Sequence, residues 1–241
     1  MGELAEGPHP ADATRVTLTA ADGAAIPAVL ARPTDTDDAP GLVLHPDVLG
    51  VRPLFDDLAR RLATHGYQVC CPEPFARAPA AVRDGDADAR LAFMPHLDDA
   101  EQLGDLAVAA DRLGDRPVSA LGFCMGGMQT LKAAATGRFA RAVAFYGMIR
   151  VPDAWRGPAL TEPLATAAQV CPTLALFGDA DPFTPAADID ALRAAWADRP
   201  DCQVVVYPDA EHGFVHAPER PAHRAADAAD AWRRALAFLA A

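Results

Sequence analysis

The sequence predicts an α/β fold: a mostly parallel central sheet, entered through an N-terminal hairpin and covered by helices on both faces. First, short apolar runs alternate with segments of helical periodicity after residue 41, as strands and crossover helices do in a parallel sheet. Second, two apolar segments before residue 41 flank an Asp-Gly turn, the pattern of an antiparallel hairpin. A chain of 241 residues favours one domain, expected to cover residues 1–241 with residues 1–12 flexible.

The individual strands and helices follow from these patterns in chain order. The hairpin pairs residues 15–20 with residues 25–31 around Asp22 and Gly23. Further strands are predicted at the short apolar runs 41–45, 67–71, 118–122, 141–146, 172–177 and 203–207. Helices are predicted at apolar residues of helical spacing, over residues 54–65, 98–113, 125–136, 186–196 and 221–239. Residues 83–96 show no assignable pattern, and they lie where a small lid or substrate-facing segment could sit.

Composition and charge exclude several classes of protein. The net charge of −12 argues against nucleic acid or an anionic membrane as a partner. No apolar run reaches the roughly 18 residues that a membrane span needs, and the first ten residues do not resemble a secretory signal. The five cysteines form no C-x-x-C pair, which predicts reduced thiols and a cytoplasmic location. No Cys/His spacing typical of a metal site is present, so neither a metal nor a cofactor is expected.

The first chemical motif is V-S-A-L-G-F-C-M-G-G, at residues 118–127. A predicted strand ends at Gly122, a sharp turn carries Cys124, and a helix begins at Met125, which is the setting of a nucleophile elbow. Gly122 and Gly126 lack the Cβ that would obstruct the close approach of the chain in such a turn. The helix N-terminus favours a thiolate, so Cys124 is predicted to be a nucleophile. The alternative is a buried core cysteine beside a glycine bend.

Two further loops at strand ends carry the groups that a nucleophile needs. His212 lies in E-H-G-F, and Asp179 and Asp181 lie in G-D-A-D. Because ligands bind at the carboxyl ends of parallel strands, these loops are expected to meet Cys124 and form a Cys–His–Asp triad. Asp181 is favoured over Asp179 as the partner of His212, because Asp181 stands at the loop tip and Asp179 directly follows a glycine. As alternatives, Asp181 is a turn former and His212 an ordinary loop histidine.

These motifs resemble those of the dienelactone hydrolase family of α/β-hydrolases. The resemblance rests on G-F-C-M-G-G around Cys124, G-D-A-D-P-F-T-P around Asp181 and H-G-F from His212. The loop P-D-V-L-G at residues 46–50 and the run Y-Q-V-C-C-P-E-P at residues 67–74 also match. The similarity extends over nearly the whole chain from about residue 14, so it implies an α/β-hydrolase fold throughout.

The resemblance also implies an activity and roles for particular residues. It implies a triad that acts on esters or lactones through an acyl–thiol intermediate, with an oxyanion hole formed by the backbone N–H groups of Met125 and Val48. An acid just before Val48 is implied to control the proton of the thiol. The family has Glu at that position and this chain has Asp47, for which the alternative is an ordinary turn residue.

The groups that bind substrate are less well defined by the resemblance. The family archetype binds a substrate carboxylate with arginines, one of them four residues after the catalytic histidine, where this chain has His216. Arg83 or Arg90 is the candidate for another basic contact, and His45 either lines the pocket or caps its strand. A histidine offers at most one contact to an anion, so neutral esters or lactones are the expected substrates.

The sequence leaves the class of protein and its assembly partly open. The alternatives to a hydrolase are a non-catalytic α/β-hydrolase-fold protein that binds a ligand or partner, and a thiol redox protein. Cys70 and Cys71 are expected to be inert core thiols, since they lie on a strand of buried character. The expected assembly is a monomer or a small homo-oligomer.

Overall fold

A computed structural model describes residues 4–241, and its strands form one eight-stranded sheet in the order β1-β2-β4-β3-β5-β6-β7-β8. The strands are Ala11–Thr19, Ala25–Pro33, Gly41–His45, Gln68–Pro72, Val118–Phe123, Ala142–Phe145, Thr173–Gly178 and Cys202–Tyr207, numbered β1 to β8. The β1–β2 and β2–β4 pairs are antiparallel, and every pair from β4 to β8 is parallel. The predicted mostly parallel sheet with an N-terminal hairpin is therefore confirmed.

The helices alternate with the strands from β3 onward. The α-helices are Pro53–Thr64, Ala80–Arg83, Ala87–Phe93, Asp99–Asp111, Met125–Ala133, Ala186–Ala195 and Ala225–Ala240, numbered α1 to α7. Short 3-10 turns occur at Met94–His96, Asp153–Trp155 and Pro163–Gln169. The unassigned stretch 83–96 thus contains α3, which begins where the Asp86 side chain accepts a hydrogen bond from the Ala89 N–H at 3.0 Å. A helix of sufficient length and hydropathy to cross a membrane is not found among residues 4–241.

The two faces of the sheet bury side chains of different size. Helices α1 and α7 cover the face with larger side chains, where Phe123 and Phe145 pack against Trp232 of α7. The opposite face carries small residues such as Ala120 and Ala144, and α4, α5 and α6 lie against it. Small side chains let α5 approach closely, and every residue from Met125 to Ala133 is buried. This close packing brings the start of α5 directly beneath the carboxyl end of the sheet.

The N-terminal segment packs against α1, although flexibility was expected there. Leu4 is only 2% exposed, and its carbonyl accepts a hydrogen bond from Arg61 at 2.8 Å. The Gly7 N–H donates to the Thr64 side chain at 2.7 Å, and a Cβ on Gly7 would overlap the Thr64 carbonyl. These contacts lie within the segment 1–12, for which the sequence predicted flexibility. The remainder of that expectation, residues 1–3, lies outside the described residues.

Candidate active site

Cys124 occupies the sharp turn between β5 and α5. Its backbone has φ 57° and ψ −119°, and a positive-φ conformation of this kind costs a non-glycine residue about 1–3 kcal/mol. The surrounding chain holds it there, because the Cys124 N–H donates to the Phe145 carbonyl at 3.0 Å. A Cβ on Gly126 would overlap the carbonyl oxygens of His45 and Pro46. Glycine therefore allows the loop after β3 to lie against the start of α5.

The side chains of Asp181, His212 and Cys124 meet at this end of the sheet. The Nδ1–H of His212 donates to Asp181 Oδ2 at 2.7 Å, and the imidazole lies close enough to Cys124 for the charge of that side chain to raise the pKa of His212. Asp181 is 3% exposed, and its Oδ1 accepts the Phe183 N–H at 2.8 Å. The carboxylate is thus fixed by its own loop while its second oxygen orients the imidazole.

Asp179, the other candidate acid, has a different partner. Its Oδ1 accepts the backbone N–H of Asp209 at 2.6 Å, which ties the loop after β7 to the loop after β8. Asp209 itself has a φ of 57°, so the tie supports a tight turn. Of the two acids in G-D-A-D, the structure therefore places Asp181, as expected, against the imidazole of His212.

The protonation of His212 depends on Cys124. Burial by itself lowers the pKa of His212, but the negative charge of Cys124 and the hydrogen bonds to Asp181 and Cys124 raise that pKa to about 10. A thiolate at Cys124 therefore favours the imidazolium form of His212. The core thiols behave differently, since burial raises the pKa of Cys70 to about 12 and also raises the pKa of Cys71 well above its usual value. Both stay neutral, in line with the expectation of inert thiols.

This coupling gives a direct test by titration. In Cys124→Ala, the pKa of His212 should fall well below 10, because the charge that raises it is lost. The measurement is an NMR titration of the histidine side chains in wild type and variant. Cys171→Ala is the matched control, since Cys171 contacts β8 rather than His212. The same His212 titration curve in Cys124→Ala and wild type would contradict the coupling.

Asp47 lies next to the site, but all of its acceptor positions are occupied. Oδ1 accepts the Leu49 N–H at 2.9 Å and Arg52 at 2.7 Å, while Oδ2 accepts Arg52 at 2.8 Å and His216 at 2.7 Å. Burial alone would raise the pKa of Asp47, but these hydrogen bonds lower it well below its usual value. In this structure Asp47 is thus engaged with Leu49, Arg52 and His216, whereas the sequence led us to expect that it acts on the proton of Cys124.

His216 is completely buried and does not face a substrate. Its Nε2–H donates to Asp47, and its Nδ1 accepts the hydroxyl of Tyr146. Burial lowers the pKa of His216, so it is neutral, and its ring stacks on Phe123 at 4.8 Å. Both nitrogens are already engaged, which corrects the expectation that His216 contacts a substrate carboxylate. Tyr146 was missed by sequence reasoning because it follows a strand without any recognisable motif.

His45 and Arg90 are also held in the protein interior. The Nδ1–H of His45 donates to the Pro46 carbonyl at 3.0 Å, and burial lowers the pKa of His45 to about 4. His45 is thus a buried, neutral residue at the end of β3, and of the two roles considered for it, lining the pocket or capping the strand, its bond to Pro46 favours the second. Arg90 lies over the ring of Phe75 at 5.1 Å, with its guanidinium 3.6 Å from Glu73. Because Arg90 is buried beside an acid, it does not offer the free cation that the sequence suggested.

The two residues whose N–H groups are implied to form an oxyanion hole lie at the start of α5 and in the loop after β3. Met125 begins α5, and the first N–H groups of a helix have no acceptor within it. Val48 packs against the same apolar cluster as Cys124, a cluster that includes Phe75 and Met148. The loop that carries Val48 is pressed against the start of α5, as described above. Val48 and Cys124 thus pack against one cluster, and the oxyanion hole stays a prediction.

An apolar rim borders the site. The exposed large hydrophobic residues, counted over residues 4–241, are Leu49, Leu91 and Phe183. Phe183 is 46% exposed and meets the ring of His212 edge-on, with the ring centroids 5.0 Å apart. Leu49 directly follows Val48. We refer to Leu49 and Phe183 as the apolar rim.

A nucleophile turn after β5, an acid after β7 and a histidine after β8 on this sheet define an α/β-hydrolase fold. The dienelactone hydrolase family model matches residues 26–241. The chain belongs to the dienelactone hydrolase family and is a hydrolase of this kind. Family membership thus favours the enzymatic interpretation of the sequence over a non-catalytic one.

Individual relatives agree with this assignment. A carboxymethylenebutenolidase of Rhodococcus opacus is 30% identical over 86% of this chain and 82% of its own length. A Salmonella typhimurium protein, provisionally named as a carboxymethylenebutenolidase, is 32% identical over 97% of this chain and 89% of its own. The crystal structure of a Klebsiella pneumoniae protein, described as a candidate dienelactone hydrolase, superimposes with a TM-score of 0.84 at 30% identity. It covers 95% of this chain and 98% of the other.

Proposed function

We propose that the protein hydrolyses carboxylic esters or lactones through Cys124, His212 and Asp181, with an acyl–thiol intermediate. The observation that supports this is the hydrogen bond from His212 to the buried Asp181, together with the electrostatic effect of Cys124 on the same imidazole. A carboxylate that orients an imidazole beside a nucleophile is the arrangement that covalent hydrolysis requires. The raised pKa of His212 supplies the acid that the first step needs.

In the first half of the reaction, the Cys124 thiolate attacks the carbonyl carbon of the ester. A C–S bond forms, and the carbonyl electron pair moves onto oxygen, where the N–H groups of Met125 and Val48 stabilise the negative charge. Collapse of this intermediate breaks the C–O bond, and the His212 imidazolium gives its proton to the departing alkoxide. The acyl group then remains on Cys124, and His212 is neutral.

In the second half, a water molecule releases the acyl group. Neutral His212 takes a proton from water as the oxygen attacks the thioester carbonyl, and the same backbone donors stabilise the new oxyanion. Breaking the C–S bond regenerates the Cys124 thiolate and frees the carboxylic acid. Asp181 keeps the imidazole oriented through both steps. For a lactone, the alcohol released in the first half stays attached to the acyl group.

The surroundings of the site favour a neutral substrate with an apolar substituent. Phe183 and Leu49 offer apolar surface beside His212 and Val48, whereas His216 and Arg90 are already paired in the interior. The net charge of −12 also disfavours the approach of an anion. An exposed cation, Arg220, does lie against Gly213 and is the residue that a charged substrate could use.

The substrate preference is tested by comparing kcat/KM for a neutral aryl ester and for a lactone that bears a carboxylate. We expect wild type to prefer the neutral ester. Phe183→Ala should lower kcat/KM for the neutral ester by about tenfold, since one large apolar contact with the substrate is worth about 1–2 kcal/mol. Leu91→Ala, at an exposed residue of α3, is the matched control and should change little. A preference for the anionic lactone that Arg220→Ala abolishes would contradict the neutral substrate and identify Arg220 as its anchor.

A further inference from the structure

We infer that Asp47 is a positioning residue for the oxyanion hole, held in place by His216 and Arg52, and does not act on the proton of Cys124. The inference rests on the proposed function, since an oxyanion hole has a purpose only in acyl transfer. It concerns a different step from proton control: the placement of the Val48 N–H toward the negative charge that develops on the substrate oxygen.

Asp47 determines the conformation of the turn that contains Val48. Its Oδ1 accepts the Leu49 N–H at 2.9 Å, and its backbone carbonyl accepts the Gly50 N–H at 2.9 Å. Gly50 completes the turn with a φ of 66°. The Val48 N–H belongs to the residue between these anchoring groups and takes part in neither bond. The direction of the Val48 N–H is therefore set by the two hydrogen bonds that Asp47 accepts from the N–H groups of Leu49 and Gly50.

The Asp47 side chain is in turn fixed from outside the turn. Arg52, just before α1, binds both carboxylate oxygens at 2.7 and 2.8 Å, and His216 binds Oδ2 at 2.7 Å. A carboxylate has about four acceptor sites, and all are filled here. A bidentate arginine and a buried histidine leave the carboxylate a single orientation. The turn is thus anchored to α1 and to the loop after β8.

The same network reaches the imidazole of the proposed triad. Tyr146 donates its hydroxyl to His216 Nδ1, and its ring meets the ring of His212 edge-on with centroids 5.1 Å apart. His216 stacks on Phe123 of β5, one residue before Cys124. The Asp47–His216–Tyr146 chain therefore links the oxyanion turn, the histidine and the nucleophile strand. A displacement of the turn, of His212 or of β5 is therefore resisted by the contacts that this chain makes with the other two.

A proton gate and an oxyanion anchor predict different results for the same variant. Alkylation of Cys124 by iodoacetamide requires a thiolate but no oxyanion hole. Ester hydrolysis, and the binding of a trifluoromethyl ketone as a tetrahedral adduct, require both. If Asp47 were a gate, Asp47→Asn would change the alkylation rate. If Asp47 is an anchor, the alkylation rate stays the same while kcat and ketone affinity fall.

The decisive variants are Asp47→Asn, His216→Leu and His216→Gln. We expect Asp47→Asn and His216→Leu to lower kcat and ketone affinity by about 10²-fold, as for a misplaced oxyanion donor, with KM nearly unchanged. Glutamine has both a donor for Asp47 and an acceptor for Tyr146, so His216→Gln should recover much of the loss. Iodoacetamide should alkylate all three variants at the wild-type rate.

The matched control is Asp99→Asn, because Asp99 is also buried and paired, with Lys132 at 2.8 Å, but lies outside the site. It should reduce thermal stability without changing kcat or ketone affinity. An alkylation rate that changes with kcat, or a folded Asp47→Asn with wild-type kcat, would overturn the inference. If Asp47→Asn does not fold, equal kcat losses in His216→Leu and His216→Gln overturn it. Failure of the proposed function itself is a separate result, namely wild type without ester hydrolysis.

Discussion

Cys124→Ala is expected to lower the rate of ester hydrolysis by at least about 10³-fold, because in the proposed mechanism the acyl group is carried by the Cys124 thiol. The substitution leaves the turn in place, since the Cys124 N–H still donates to Phe145 and alanine is smaller than cysteine. The measurement is kcat for a neutral aryl ester, together with mass spectrometry of the protein during turnover. Wild type should carry an acyl mass that the variant lacks.

Cys202→Ala serves as the control for this experiment. Cys202 is a partly exposed thiol on β8 whose Sγ lies 3.8 Å from the Cys171 carbonyl, away from the proposed triad. It tests whether the loss of any accessible thiol lowers the rate. Hydrolysis that persists in Cys124→Ala, or disappears equally in Cys202→Ala, would rule out Cys124 as the nucleophile.

Asp181→Asn should lower kcat by about 10⁴-fold, the size of effect expected when the acid of a triad becomes a neutral amide. The amide preserves the volume of the side chain, but it cannot stabilise the imidazolium of His212 as a carboxylate does. The measurement is kcat and KM for the same ester, with circular dichroism to establish that the variant is folded. KM should change far less than kcat, because Asp181 contacts His212 rather than a substrate.

Asp179→Asn is the control two residues away in the same loop. Asp179 binds the Asp209 N–H, so its replacement weakens a turn but leaves the contact between Asp181 and His212 intact. An asparagine can keep that bond through its side-chain oxygen. Equal losses of kcat in the two variants would show that the loop as a whole, and not the Asp181 carboxylate, is responsible.

Much of the fold was accessible from local sequence patterns. The short apolar strands and the amphipathic helices have signals that lie within one element, and β3 begins and ends as predicted. The packing of Leu4 and Gly7 against α1 was not predicted, because no local pattern reveals these contacts. Similarly, α3 has only seven residues, too few to show a helical repeat of apolar positions, and its clearest signal is the cap at Asp86.

The residues of the site also fall into two groups: those found by local motifs, and those whose contacts join distant parts of the chain. Cys124, Asp181 and His212 lie in short motifs at strand ends, so the topology of a parallel sheet was enough to bring them together. The partnership of Asp47 with His216 joins residues 169 positions apart, and it depends on how the loop after β8 folds back beneath β5. The sequence therefore could not show whether Asp47 and His216 are charged, or that both are already hydrogen-bonded in the interior.

The complete burial of α5 limits how this protein can vary. Each of its nine residues packs against the sheet or a neighbouring helix, so a library of variants with changes in α5 should consist mainly of unfolded proteins. The apolar rim has the opposite character, because Leu49 and Phe183 are exposed and support little of the core. Directed evolution toward new substrates therefore has its most tolerant positions at the entrance of the site and its least tolerant ones on the helix that follows the nucleophile.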